Sequence, residues 1–200
     1  IRRGEFKSDP VHHMFIGLCG LKYSGRKSLS NFLKEDYNFT TVLVSSEPSP
    51  PGNEKVLHFV DVNAMLEWVS ERWRDDFVWP AVESLEAYEK VSKRPFFSLI
   101  EVKAKTCDRF KRCGYSNIEE LLQEDDLQAF RNDGLLNLSI KVNFTFANTG
   151  SLDQLRSSLR NLNLNDPERK SQLTRPNWDA YFMRIAEFAA QRTNCMKRGV

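Results

Sequence analysis

The sequence predicts an α/β fold, a parallel sheet covered on both faces by helices. Two observations predict it. From residue 14 to residue 162, short β-branched or aromatic runs alternate with segments of helical apolar spacing. The first run also ends in a glycine turn, Gly20-Leu21-Lys22-Tyr23-Ser24-Gly25, that leads directly into a helix. In folds of this class that turn is where phosphate is held.

The elements follow in order. Met14–Gly20 is a short apolar run closed by glycine and reads as a buried strand. Leu21–Gly25 is a loop. Arg26–Tyr37 is a helix with Leu29, Phe32 and Leu33 on one face, and Thr40–Val44 is a second, β-branched strand. Ser45–Asn53 carries Pro48, Pro50, Pro51 and Gly52 and reads as a loop. Val60–Arg74 is a helix with Val62, Met65, Leu66, Val69 and Trp73 aligned. A third strand, Phe77–Trp79, precedes a helix at Val82–Val91. Pro95–Val102 is a fourth strand, and Cys107–Arg131 holds one or two helices with an acidic run from Glu119 to Asp126 that reads as a solvated face. Val142–Ala147 is a fifth strand. Ser151 caps a helix that runs to Asn161 with Leu152, Leu155 and Leu159 inward. Residues 163–176 are polar, contain Pro167 and Pro176, and read as a linker. Asn177 is a good cap for a last helix, along which Trp178, Phe182, Ile185 and Ala189 form one apolar stripe widened by Tyr181 and Phe188. Periodicity alone reads that helix as one packed on its own domain. Residues 1–13 read as a tag or a disordered arm.

Composition narrows the function classes. The chain has 200 residues, 40% of them apolar, enough for a substantial core. Its 29 basic and 27 acidic residues leave a formal charge of +2, so no electrostatic footprint for nucleic acid is present. No apolar run approaches membrane-spanning length and no secretory leader is visible, so no membrane partner is expected. Cys19, Cys107, Cys113 and Cys195 form no C-x-x-C pair, and none has a histidine at a metal-ligand spacing. They read as reduced thiols of a cytoplasmic protein, with the nucleus as the alternative. No catalytic residue, metal site or cofactor is assigned to this chain.

The glycine turn carries the candidate site. A phosphate loop needs Gly, four residues, Gly, Lys, then Ser or Thr: the backbone N–H groups surround phosphate oxygens, lysine bridges the terminal phosphates and the hydroxyl holds Mg²⁺. Gly20 and Gly25 have that spacing, but Arg26 takes the lysine position, Lys27 the hydroxyl position, and Ser28 falls one place late. One residue is ~100° of helix rotation, so Lys27 and Ser28 cannot take over both roles. Gly20, Gly25, Arg26, Lys27 and Ser28 are therefore read as a degenerate anion-binding loop, expected to hold a nucleotide or phosphate without phosphoryl transfer. The plainer alternative is a solvated basic turn at Lys22, Arg26 and Lys27. Arg109 and Arg112 read as a helical surface pair. Asp75 and Asp76 would hold Mg²⁺ only in a working kinase.

Two resemblances extend this reading. Phe97-Ser98-Leu99-Ile100-Glu101-Val102-Lys103-Ala104 with Arg109 and Arg112, and Phe144 to Leu155 with its N-x-G-S-L-x-x-L pattern, resemble P-loop nucleoside monophosphate kinases. The run Arg175-Pro176-Asn177-Trp178-Asp179-Ala180-Tyr181-Phe182-Met183, with Ala186, Ala189, Arg192, Cys195, Lys197, Arg198 and Val200, resembles the opening of the catalytic domain of deoxycytidylate (dCMP) deaminases. Fungal members are similar in layout, with a degenerate kinase-like domain ahead of the deaminase domain, and Lys93-Arg94-Pro95-Phe96-Phe97 also looks like theirs.

The resemblance implies a three-layer P-loop nucleotide-kinase-like parallel sheet at 14–162, with the first strand central, and the truncated start of a cytidine-deaminase-like domain at 177–200. It implies that the complete protein hydrolyses dCMP to dUMP with Zn²⁺, that its partner is the missing deaminase domain, and that it forms homo-oligomers. The family's H-x-E and P-C-x-x-C zinc signatures occur nowhere in these residues. The chain alone is thus expected to be catalytically inactive and structural or regulatory. The alternatives are an active P-loop nucleoside or nucleotide kinase with an atypical loop, and a pure interaction module.

Overall fold

The structure is a computed structural model and describes residues 13–45, 55–131, 134–174 and 178–191. Six parallel strands form one sheet: β1 (Phe15–Cys19), β2 (Thr40–Val44), β3 (Val56–Phe59), β4 (Phe77–Trp79), β5 (Phe97–Lys103) and β6 (Phe144–Ala147). Their order across the sheet is β3-β2-β4-β1-β5-β6, so β1 lies inside, between β4 and β5. The helices are α1 (Arg26–Tyr37), α2 (Val62–Glu71), α3 (Leu85–Val91), α4 (Thr106–Cys113), α5 (Ile118–Ala129), α6 (Leu135–Ser139), α7 (Leu152–Arg160), α8 (Pro167–Thr174) and α9 (Trp178–Gln191).

The alternation of side chains along a strand builds the three layers. Met14, Ile16 and Leu18 face one core with Leu29 and Leu33 of α1 and Leu155 and Leu159 of α7. Phe15 and Cys19 face the other, with Met65 and Val69 of α2, Val91 of α3 and Leu138 of α6. The rings of Phe15 and Phe97 meet edge to face, centroids 5.2 Å apart, across the β1–β5 pair. The expected three-layer parallel sheet with β1 inside is what the chain forms.

Several readings of the sequence are corrected: Trp73 and Leu152, read as inward, are exposed, because α2 ends at Glu71 and Leu152 opens the first turn of α7. β3 is an added edge strand of four half-buried residues, too short to show a period. α6 places Leu135 and Leu138 in the core from a stretch that had no assignment. The polar segment 163–176 is not merely a connector: it carries α8, and Leu164 and Leu173 are buried in the α1/α7 core. Lys170 of α8 donates to Asp76 Oδ2 at 2.5 Å, and Asp76 Oδ1 accepts the Met14 N–H at 2.9 Å. The predicted arm lies outside the described residues except for His13, and the Ser45–Asn53 loop except for Ser45.

α9 is a helix where one was expected; periodicity alone reads it as packed on its own domain, whereas the resemblance places it outside the 14–162 core, and its large apolar side chains among the described residues lie outside that core. Tyr181, Phe182, Met183, Ile185 and Phe188 are all exposed, Phe188 to 68%. The family-like residues Arg192 to Val200 lie outside the described residues.

Candidate functional site

Because every strand is parallel, the segments that follow β1, β4, β5 and β6 gather at one edge of the sheet, where such folds place ligands. The glycine loop follows β1 there. Gly20 adopts φ 135° and Gly25 φ 107°. A Cβ on Gly20 would come 2.4 Å from the Val102 carbonyl oxygen, and one on Gly25 2.3 Å from Asn148 Nδ2. Both positions need glycine for backbone sign and for space. Asn148, just past β6, donates from Nδ2 to the Ser24 carbonyl at 2.8 Å and fixes the loop's last turn.

α1 starts at Arg26 with Gly25 as its cap, no capping side chain, and no acid in its first turn. α2, α3, α5 and α7 are instead capped by Asp61, Ser84, Asn117 and Ser151. Two cations, Arg26 and Lys27, sit at the positive end of the α1 dipole, opposite to the usual preference. Arg26 Nη1 lies 3.6 Å from Glu83 Oε1, with the arginine side chain 14% exposed, whereas Lys27 is exposed and Ser28 half-buried. The Ser24 hydroxyl, in the curl of the loop, is buried with no hydrogen-bond partner among the described residues.

α4 and α5 close over the loop. Arg109 is fully buried: it donates to Asp125 at 2.6 Å and 2.5 Å, and weakly at 3.4 Å to the Lys22 carbonyl. Arg112 Nη1 donates to the Tyr23 carbonyl at 3.2 Å. The surface expectation is corrected for buried Arg109; Arg112 is exposed, as expected, and its guanidinium also reaches the loop backbone. The solvated-face expectation for the acidic run is corrected at two positions. Asp125 is buried against Arg109, and Glu124 accepts from Lys22 Nζ and from the Tyr115 hydroxyl, the latter at 2.9 Å. The hydrogen bond from Lys22 holds the Glu124 carboxyl below the usual range, and Glu124 in turn raises the Lys22 ammonium. Gln128 completes the closure, accepting the Lys22 N–H at 3.2 Å and donating to the Gly20 carbonyl at 3.4 Å. Lys22 is therefore not part of a freely solvated turn. Beside the closure runs an open groove of about 950 Å³, lined by Lys22, Glu83, Leu127, Gln128, Phe130 and Arg131 among others.

Asp75 and Asp76 lie elsewhere. They precede β4, at the opposite edge of the sheet from the loop, and Asp76 is engaged with α8. Among the described residues no three His, Cys, Asp or Glu side chains gather as metal ligands. Buried Glu101, at the end of β5, was not singled out by the sequence. It accepts from Ser139 Oγ at 2.9 Å and pairs with Lys103 at 3.1 Å. Its neighbour Cys19 is pushed up to about 12 by burial and by that carboxylate.

Deoxycytidylate deaminase of Schizosaccharomyces pombe is 30% identical over 200 aligned positions, covering 92% of this chain and 60% of that protein. The Saccharomyces cerevisiae deoxycytidylate deaminase is 28% identical, covering 94% and 59%. The chain is a relative of the deoxycytidylate deaminases. It spans about three fifths of the length of these deoxycytidylate deaminase relatives. No protein-family model matches it. Among solved structures, an uncharacterized protein from Eubacterium ventriosum superposes with a TM-score of 0.52 at 13% identity, over 74% of this chain and 97% of that one, a likeness of fold. A gluconokinase from Sinorhizobium meliloti gives 0.46 at 14% identity, over 86% and 98%.

Proposed function

We propose that this chain is the kinase-like unit of a zinc-dependent dCMP deaminase and that the unit itself is structural or regulatory, with no deaminase centre of its own. The observation that carries the reading is the 30% identity to a deoxycytidylate deaminase across 92% of the chain. α9 supports it: a helix with five exposed large apolar side chains needs a cover, and a following deaminase unit supplies one. The complete protein would then hydrolyse the C4 amine of dCMP to give dUMP, in the cytoplasm or the nucleus.

Within this unit the Gly20–Ser28 loop is an anion seat that has lost phosphoryl transfer. Its glycines and the uncapped, doubly cationic start of α1 favour a bound anion. Arg26 suits bidentate phosphate contact and does not replace a lysine that follows a moving phosphoryl group. At the hydroxyl position Lys27 brings positive charge where a Mg²⁺ ligand would be needed.

The test has two arms. The protein made from its complete gene should turn dCMP into dUMP, and the 200-residue chain alone should yield none above blank. An inactive complete protein would overturn the deaminase reading. Titration of the chain with phosphate should shift the amide resonances of Gly25 to Ser28; if those signals do not move, the loop is a basic turn and nothing more.

A further inference from the structure

We propose that α5 is an internal competitor for the loop: Glu124 and Gln128 occupy donors that a phosphorylated ligand would use, so binding such a ligand releases the α4–α5 pair. The inference rests on the anion-seat reading and adds its regulation.

The contacts have the chemistry of a ligand mimic. Glu124 presents a carboxylate to Lys22 Nζ, as a phosphate oxygen would. Gln128 places a carbonyl oxygen on the Lys22 backbone N–H, a donor within the Gly20–Gly25 curl. Ser24 Oγ stays buried and unpartnered in the same curl, so the mimic leaves one polar group there unsatisfied. A phosphate brings more acceptor oxygens than the α5 side chains supply.

The contacts are also cooperative. Arg109 joins α4 to α5 through Asp125 and reaches the Lys22 carbonyl, while Arg112 reaches the Tyr23 carbonyl. Tyr23 has φ 61°, an uncommon conformation for a residue with a side chain, and its hydroxyl lies 3.4 Å from that of Tyr115, which donates to Glu124. Moving the loop toward a ligand thus disturbs α4 and α5 together. The face that α5 would give up borders the open groove, so the helix pair has room to swing without breaking either core.

The probe is pyrophosphate, with binding measured by calorimetry and local opening by hydrogen exchange. A ligand normally protects what it touches. Here pyrophosphate should slow exchange at residues 24–28 and accelerate it at residues 118–129. Glu124→Gln with Gln128→Ala, which removes the competitor and leaves the loop intact, should bind pyrophosphate about tenfold more tightly, as expected for deleting two partly exposed contacts. The free double variant should already exchange faster at residues 20–24. Binding only in the double variant would also support the latch, since it means a latch too tight for wild type. Equal affinity of the two proteins, or protection of residues 118–129 on binding, overturns the latch and leaves the anion seat standing. No binding by either protein overturns the seat and the latch with it, and faster exchange at residues 20–24 would then mark α5 as a structural brace only.

Discussion

Replacing Asp125 by alanine removes the carboxylate that takes two hydrogen bonds from Arg109, at 2.6 Å and 2.5 Å. The two side chains are only 2% and 12% exposed, so water cannot fully replace the lost acceptor. The remaining partners of the guanidinium, the Thr106 hydroxyl and the Lys22 carbonyl, are distant at 3.5 Å and 3.4 Å. Removing one member of such a pair costs about 3–5 kcal/mol, because the other charge stays buried and uncompensated. In a domain of this size each kcal/mol lowers Tm by roughly 2–4 °C, so Asp125→Ala should melt about 6–20 °C below wild type. Replacing both charges with apolar groups of similar size, Arg109→Met with Asp125→Leu, should recover most of that loss. Urea titration and thermal melts followed by circular dichroism measure both. A single-variant loss under about 1 kcal/mol, the value of an exposed pair, would mean that the pair behaves as a solvated one, and a double variant no more stable than the single one would mean that the cost is not an uncompensated charge.

Three further outcomes are expected. Gly25→Ala should destabilise by at least about 1–2 kcal/mol, because φ 107° and the 2.3 Å approach to Asn148 both exclude a side chain; a neutral urea midpoint would contradict the loop geometry. The Lys22–Glu124 contact should vary with pH in one direction: the folded Glu124 carboxyl titrates below its ordinary value of 4.5, so its contribution is complete above that value and is lost as pH falls through the depressed one. Faster exchange of α5 in acid that the Glu124→Gln variant does not show would confirm it, whereas weakening between pH 6 and 8 would not fit. Iodoacetamide at pH 8 should label exposed Cys107 well before Cys19, whose buried thiol is pushed up to about 12; peptide mapping that finds Cys19 modified first would be inconsistent with the β1–β5 packing.

Much of the fold was legible because its signals are local. The helix read as Arg26–Tyr37 has those bounds, and the Ser151 cap is a full capping box with Gln154. The alternation of strand and helix led to the parallel sheet, and the Gly20–Gly25 spacing to the loop at its edge. β3 escaped because four half-buried edge residues draw no pattern. α8 escaped because its residues are mostly polar and its anchor is two leucines, Leu164 and Leu173, nine positions apart. The closure over the loop was least visible. Arg109 and Asp125 are 16 residues apart, and Lys22 and Glu124 are 102 apart, so their pairing is a product of topology. One signal was present: Leu121, Asp125 and Gln128 fall at i, i+4 and i+7, which puts an acid and an amide on the buried face of α5.

On the proposed reading, the loop keeps the anion-holding half of a phosphate loop and lacks the transferring half. Incubation of the chain with Mg²⁺ and ATP labelled on its γ-phosphate, with dCMP and then the other nucleoside monophosphates as acceptors, tests it most directly. No labelled nucleotide above blank is expected, because losing each preorganised contact raises a barrier by about 2–4 kcal/mol and two are lost at Arg26 and Lys27. Mg²⁺-dependent labelling of an acceptor that disappears in Lys27→Ala would contradict it and make the chain a working kinase.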